Sequence, residues 1–356
     1  MQQTDVDDFT KVKFVEFPRN IVAGHGVLGT VRNMCDDDHV GHTGTVITGT
    51  KTMDAAGKEV LDNMDGYDMD VCTVGEATMD NVNMVIDRIR EFGSEFVLAV
   101  GGGSKIDVSK VACNELNIPF ISIPTSAAHD GIASNRASLK SETGSKSVSS
   151  ASPMGIIADT EVIAKAPYRL LASGCADVIS NLTALEDWDF ARRLQNVQFS
   201  RSAYSLSMYA AESIIDNAEL IKPNLEDSVW IAIKPIIISG ISMSIAGSSR
   251  PTSGAEHMFS HMLDLMHPGR ALHGEQCGVG SIMTMYLHGG NWEQIRDALK
   301  MIGAPTTAKE LGISAEDTIY ALSHAHEIRS DRFTILGNAG ISEEVAEKVA
   351  KTTGVI

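Results

Sequence analysis

The first half of the chain repeats one unit: a short apolar run closed by glycine or proline, followed by a stretch with helical spacing. "NIVAG" (20–24), "TVITG" (45–49), "DVCTVG" (70–75), "FVLAVGGG" (96–103) and "PFISIPT" (119–125) are rich in Val and Ile, as buried strands are. Between two of them, "ATMDNVNMVIDRIREFG" (77–93) sets Met79, Val82, Val85, Ile86 and Ile89 at a helical period. Strand, helix, strand in repetition implies a parallel sheet covered by helices. A polar stretch, "SLKSETGSKSVSSASP" (138–153), reads as an exposed hairpin or loop before a last strand, "MGIIAD" (154–159).

After about residue 165 the strand signals fade, and helical patterns rich in Ala, Met, Leu and Ile run through "ISEEVAEKVAKTTGVI". The expectation is an α/β domain over 1–165 and an all-α domain over 166–356. A length of 356 residues suits two domains, and 43% hydrophobic content supplies both cores. Ligands of open parallel sheets bind at the carboxyl ends of the strands, so the cleft between the domains is the expected site. The most apolar stretch, 230–247, carries Lys234 and Pro235 and reads as a buried helix rather than a membrane span.

A net charge of −17 repels nucleic acid and anionic membrane, so neither is an expected partner. An anionic substrate would need a locally positive or metal-bearing pocket. Five cysteines without a CxxC pair read as reduced thiols of a cytoplasmic protein. "MQQTDVDDFT" has neither the basic region nor the apolar run of a secretory signal.

Two glycine turns compete for a nucleotide. "GHGVLG" (24–29) follows a strand and matches GxGxxG. The acidic residue that should end the next strand, for a ribose hydroxyl, is missing from "TGTKT" (48–52), so a plain structural turn is at least as good a reading. "VGGGSKIDVSK" (100–110) offers three successive glycines before a helix start, an anion cradle, with Ser104 and Asp107 as a capping pair. "IPTSAAHDG" (123–131) lines the neighbouring strand end, and a nucleotide would lie across the two. Nothing at Thr50 or Lys51 repels a 2′-phosphate, so NADP as well as NAD is expected to fit.

Four of the 11 histidines lie between 257 and 273. On a helix, His257 and His261 share a face, with Met258, Met262 and Leu265 as an adjacent core stripe. Imidazoles at that spacing suit zinc, although such pairs are more often bland. His273 follows a helix break at "HPGRA" and can supply a third ligand, and a carboxylate should complete the site. Asp177 is a candidate, but the pattern does not choose it over Asp187 or Asp189. His39, His42, His324 and His326 read as structural or solvated.

"GGGSKID", "IPTSAAHDG", "SGCADVISN", "SGAEHMFSHMLD" and "RALHGEQCGVG" resemble the archaeal sn-glycerol-1-phosphate dehydrogenases, within the group of iron-dependent alcohol dehydrogenases, glycerol dehydrogenase and dehydroquinate synthase. The resemblance covers nearly the whole chain. It implies a Rossmann-like first domain, a helical second domain, and reduction of dihydroxyacetone phosphate to sn-glycerol 1-phosphate, the backbone of archaeal ether lipids, with NADH or NADPH. It implies one zinc ion on Asp177, His257 and His273. It makes Asp130, Asp177 and His261 substrate contacts, with Asp177 and His261 catalytic. The nucleotide would lie along Gly103, Ser104, Lys105, Ile106, Asp107, Thr125, Ser126, Ala127, Ala128 and Ser134. Ala128 departs from the family, which commonly has serine there. The family usually forms octamers.

The product hydroxyl needs a proton, for which His261 or a bound water is the expected source. Arg270 and Lys146 are candidate donors to the substrate phosphate. The rival readings are a glycerol or alcohol dehydrogenase using another metal, and a non-catalytic nucleotide-binding protein.

Overall fold

The computed structural model describes residues 15–141 and 144–356; the first fourteen residues and the tip of the predicted hairpin lie outside that range. Six strands form one parallel sheet: β1 (Asn20–Gly24), β2 (Thr43–Thr48), β3 (Asp68–Thr73), β4 (Phe96–Gly101), β5 (Phe120–Pro124) and β8 (Gly155–Asp159). Their order is β1-β8-β5-β4-β2-β3. β6 (Arg136–Ser141) and β7 (Gly144–Ser149) pair antiparallel as a separate hairpin. β4, β5 and β8 are buried along their whole length, the consequence of helices on both faces. In the predicted helix, Met79–Phe92, Val82, Val85, Ile86 and Ile89 turn inward, while Met79 is half exposed.

The two glycine turns have different fates. At the first, Asp159, at the end of β8, accepts the amides of Gly26 and Leu28 at 3.3 and 3.2 Å. A carboxylate of the chain itself occupies the place an anionic ligand would take, so GHGVLG is a structural turn. At the second, Gly102 precedes the helix Gly103–Leu116, and no side chain caps it. The expected Ser104–Asp107 capping pair does not form. Asp107 is instead buried, accepting the Ser138 amide at 3.1 Å and facing Lys110 at 3.5 Å. Lys110, fully buried, donates to the carbonyls of Gly131 and Arg136. It ties this helix to the loop after β5.

From Tyr168 to the C-terminus the described structure is helical, apart from turns and loops. Three helices matter most: Tyr168–Gln195, which carries Asp177; Ala255–Met266, which carries His257 and His261; and His273–Leu287. Glu226–Ala246 is the predicted apolar helix. Its length and composition would allow it to cross a membrane, but 67% of its apolar stretch is buried among the other elements. Pro235 sits inside it, and Lys234 lies over the Trp230 ring.

The Asp177 helix packs unusually closely, and glycine is the reason. A methyl group at Gly174 would run into the Ala127 carbonyl; one at Gly274 would run into the Ser173 carbonyl. Gly274→Ala is therefore expected to cost about 1–3 kcal/mol, the usual penalty of overpacking, measured as a lower denaturation midpoint. An unchanged midpoint would show that the two helices can part at no cost.

Candidate metal and nucleotide site

Asp177 lies three helical turns into its helix, with only 3% of its surface exposed. Its Oδ2 accepts the Asp130 amide at 3.1 Å, while its Oδ1 is buried without a hydrogen-bond partner. The Nε2 atoms of His257 and His273 stand 3.6 and 3.7 Å from that orphaned oxygen. The edge of a tetrahedron around an ion with bonds of 2.0–2.1 Å is about 3.3 Å. These three atoms therefore surround a space of roughly the right size for a divalent metal, and the unpartnered Oδ1 is the acceptor such an ion would satisfy.

Neighbouring groups set which imidazole nitrogen is free. Glu256, fully buried, meets His257 Nδ1 at 2.8 Å. It also accepts the Gly254 amide at 2.6 Å and the Thr183 hydroxyl at 2.9 Å. A carboxylate there fixes Nδ1 as the protonated nitrogen and leaves the Nε2 lone pair facing Asp177. For His273 the same work is done by Ser260, 3.2 Å from Nδ1. The Ser260 hydroxyl donates to Gln276 Oε1 at 2.6 Å, and Gln276 Nε2 donates to Asp264 at 3.1 Å. Ser260 must then accept from His273, so Nε2 of that ring also keeps its lone pair.

Of the three aspartates, Asp177 is the one that stands with His257 and His273. Asp187 accepts the Ala255 amide at 2.7 Å, tethering the start of the His257 helix, and pairs with His288 at 3.0 Å. Asp189 pairs with Arg192 and Arg193. Neither belongs to the group formed by Asp177, His257 and His273.

A fourth donor went unrecognised in the sequence. Cys277, one turn after His273, lies 3.6 Å from His273 Nε2 and belongs to the same group. The i, i+4 spacing in HGEQC would have pointed to it. Burial pushes its thiol up to about 11, which favours a neutral –SH in the metal-free site. Glu256 and Ser260 were likewise unassigned, although both stand in the EHMFSH stretch.

His261 lies one turn beyond His257, its ring 5.8 Å from that of His273. Its Nδ1 is buried without a partner. Burial, then the charges of His257, Arg329 and Arg332, depress its pKa to about 4, and a bound cation would push it the same way. That shift favours the neutral imidazole, which can still offer a hydrogen bond to a ligand. Asp130 is held by Ser239 at 2.8 Å. Lost hydration and the adjacent Asp177 raise its pKa.

The stripe expected beside the histidines needs one change: Met258 and Met262 are buried, but Leu265 is 46% exposed. Arg270 and Lys146 are exposed, and Arg270 donates to the Gly312 carbonyl at 3.1 Å. The charges acting on His261 are those of His257, Arg329 and Arg332. His39 ends a helix in the left-handed conformation, His42 packs on Tyr67, His324 stacks on Tyr320, and His326 bonds the Ser323 carbonyl. None of the four joins the group around Asp177.

The nucleotide candidates gather where β4 and β5 end side by side. A side chain at Gly103 would strike the His129 ring, and one at Gly102 would crowd the Ser126 hydroxyl. Bare backbone amides at an uncapped helix start remain, a fit for a pyrophosphate. Thr125, Ser126 and Ala127 are buried, and Ala128 is partly exposed. Ile106 is wholly in the core, so only its backbone is available to a ligand. Lys105 donates to the Gly75 carbonyl at 2.8 Å. The Ser134 hydroxyl is buried and used by Lys110 and Arg136.

A family model described as iron-containing alcohol dehydrogenase matches residues 22–167. A glycerol-1-phosphate dehydrogenase [NAD(P)+] of Methanosarcina acetivorans is 50% identical over 347 residues, with 97% of each chain covered. That of Methanothermobacter thermautotrophicus is 51% identical over 344 residues, covering 96% of this chain and 99% of its own. Among solved structures, a probable glycerol dehydrogenase from Sinorhizobium meliloti superposes with a TM-score of 0.79 at 17% identity, covering 96% of this chain and 98% of its own. Sulfoacetaldehyde reductase from Bifidobacterium kashiwanohense, in complex with NAD+, gives 0.77 at 18%, covering 96% and 99%. These structures share the fold.

Glu256→Gln is expected to weaken metal binding about 10–100-fold, as loss of a supporting carboxylate does elsewhere, read by competition with a chromophoric chelator. Cys277→Ala should keep its metal. A Glu256→Gln protein that binds as tightly as the parent would remove the role given to Glu256.

Proposed function

The chain belongs to the glycerol-1-phosphate dehydrogenase family, and on that premise we propose that it interconverts dihydroxyacetone phosphate and sn-glycerol 1-phosphate with NAD(H) or NADP(H). One observation carries the reading. Asp177, His257 and His273, from three helices, bring free ligand atoms together, on the chain that also presents an uncapped helix start after β4. The identity of about 50% over 97% of the chain supports the substrate.

Asp177, His257 and His273 are assigned as ligands of one zinc ion per subunit. Asp130, Asp177 and His261 contact the substrate. Residues Gly103 to Asp107, Thr125 to Ala128 and Ser134 form the nucleotide site, within a nucleotide-binding domain 1–165 facing a helical domain 166–356. When bound, the ion supplies Lewis-acid stabilisation of charge on the substrate oxygen and the nicotinamide supplies the hydride.

The chain's own residues do the rest. The Gly103 helix start receives the pyrophosphate through backbone amides. Glu256 and Ser260 hold the two ligand imidazoles in the tautomers that leave Nε2 free. Cys277 is left out of the assigned ligand set, which keeps a position open for substrate, as a catalytic site requires. His261 holds the substrate by hydrogen bonding in its neutral form, and Asp130 sits beside Asp177 to meet a substrate hydroxyl. The proton for the product hydroxyl comes from solvent. We further propose a cytoplasmic location and no nucleic-acid or membrane partner, supported by the net charge of −17 and by five buried free cysteines, and a homo-octamer on the family resemblance alone.

The purified protein should consume NADPH or NADH on addition of dihydroxyacetone phosphate, lose activity to a chelator and regain it with zinc. The product should be the sn-1 enantiomer. Turnover of glycerol or free dihydroxyacetone without the phosphate ester would contradict the assignment and favour a glycerol dehydrogenase.

A further inference from the structure

On a chain of net charge −17, the loops around 250 and 330 meet, Arg250 donating to the Phe333 carbonyl and Arg332 to the Ser253 carbonyl, and the charges of Arg329 and Arg332 act on His261. Arg332 is 6% exposed and Arg250 9%. Arg136 Nε is buried with no hydrogen-bond partner. Arg329, partly exposed, is close enough to influence all the others. Beyond the effect of burial, its charge lowers the pKa of Arg136, Arg250, Arg332 and His261 alike.

These cations lack sufficient counter-charge. Arg329 meets Asp331 at 3.5 Å, but that carboxylate is 75% exposed. Asp187 and Glu256 also act on Arg250 and Arg332, yet both are already committed. Asp187 serves the Ala255 and Ile335 amides and His288; Glu256 serves His257, Gly254 and Thr183. The contacts that fix the arginines are mostly to neutral oxygens. Arg332 donates to the Ser253 carbonyl and the Ser249 hydroxyl, and Arg250 to the Phe333 carbonyl. Such bonds orient a guanidinium without neutralising it, and each has five N–H donors. Buried like charges without partners are costly. The cost is relieved by an anion of more than one charge, and guanidinium forks match phosphate geometry.

We propose that Arg329, with Arg332, Arg250 and Arg136, forms the subsite that binds the phosphate of the ketone substrate. This rests on the function proposed above. His261 links the two groups: its ring is 5.8 Å from that of His273, and the charges of Arg329 and Arg332 act on it. A small phosphorylated ketone can therefore place its carbonyl at one and its phosphate at the other. The subsite would make the enzyme selective for the phosphate ester over the free ketone.

The test uses zinc-loaded protein and Arg329→Ala, with Arg329→Lys as a second variant, because the Arg329 side chain is partly exposed, at 33%. The selectivity ratio, kcat/KM for dihydroxyacetone phosphate over that for dihydroxyacetone, should fall about 100-fold in Arg329→Ala, a typical loss for a charged partner of a desolvated anion. The effect should lie mainly in KM, and Arg329→Lys should recover part of it. Equal losses on both ketones, or no change in the ratio, would overturn the subsite. In parallel, inorganic phosphate should raise the thermal midpoint of the parent and not of Arg329→Ala. If the parent reduces neither ketone, the proposed function fails, and phosphate protection still reads the subsite. Absence of that protection in the parent would overturn it.

Discussion

The site depends on how closely two pieces of backbone approach the Asp177 helix. Gly174 lets the helix lie against the loop after β5, and Gly274 lets the His273 helix cross it at Ser173. Any side chain at either position would push the segments apart. Through the first contact the Asp130 amide reaches Asp177; through the second His273 faces the same carboxylate. The glycines make no chemistry. They set the distance at which it becomes possible.

Electrostatics then divides the cleft. On one side a buried carboxylate and two imidazoles await a cation, with the imidazole tautomers enforced by Glu256 and by the Ser260–Gln276–Asp264 chain. On the other, arginines from the loops around 250 and 330 form the proposed phosphate subsite. Burial first, and then the charges of His257, Arg329 and Arg332, hold the His261 pKa down. Asp159 and Asp187 show the alternative use of a carboxylate in this fold. Each satisfies backbone amides and so closes a place that a ligand would otherwise take.

Much of this was legible in the sequence. The strands of the sheet end on glycine, proline or a polar residue after β-branched runs, and the structure places each within a few residues of its expected position. The histidine cluster was visible as spacing, since helical periodicity puts His257 and His261 on one face and a break releases His273. Asp177 could not be chosen by pattern, because Asp187 and Asp189 lie on the same helix and only the crossing of helices separates them. The Ser104–Asp107 pair looked like a cap but Asp107 is drawn inward by Lys110 and the Ser138 amide, contacts made across 31 residues in one case. The arginines escaped notice for a similar reason. Arg136, Arg250 and the Arg329–Arg332 pair come from three distant parts of the sequence, and their relation exists only after folding.

The central claim is that two imidazoles and the Asp177 carboxylate hold the metal while Cys277 stands aside. X-ray absorption at the zinc edge of the loaded protein tests it most directly. The account predicts a first shell of nitrogen and oxygen only, at about 2.0–2.2 Å, with the outer-shell signature of imidazole. A sulfur scatterer at about 2.3 Å would show that Cys277 closes the site, and the open position on which the proposed chemistry relies would be gone.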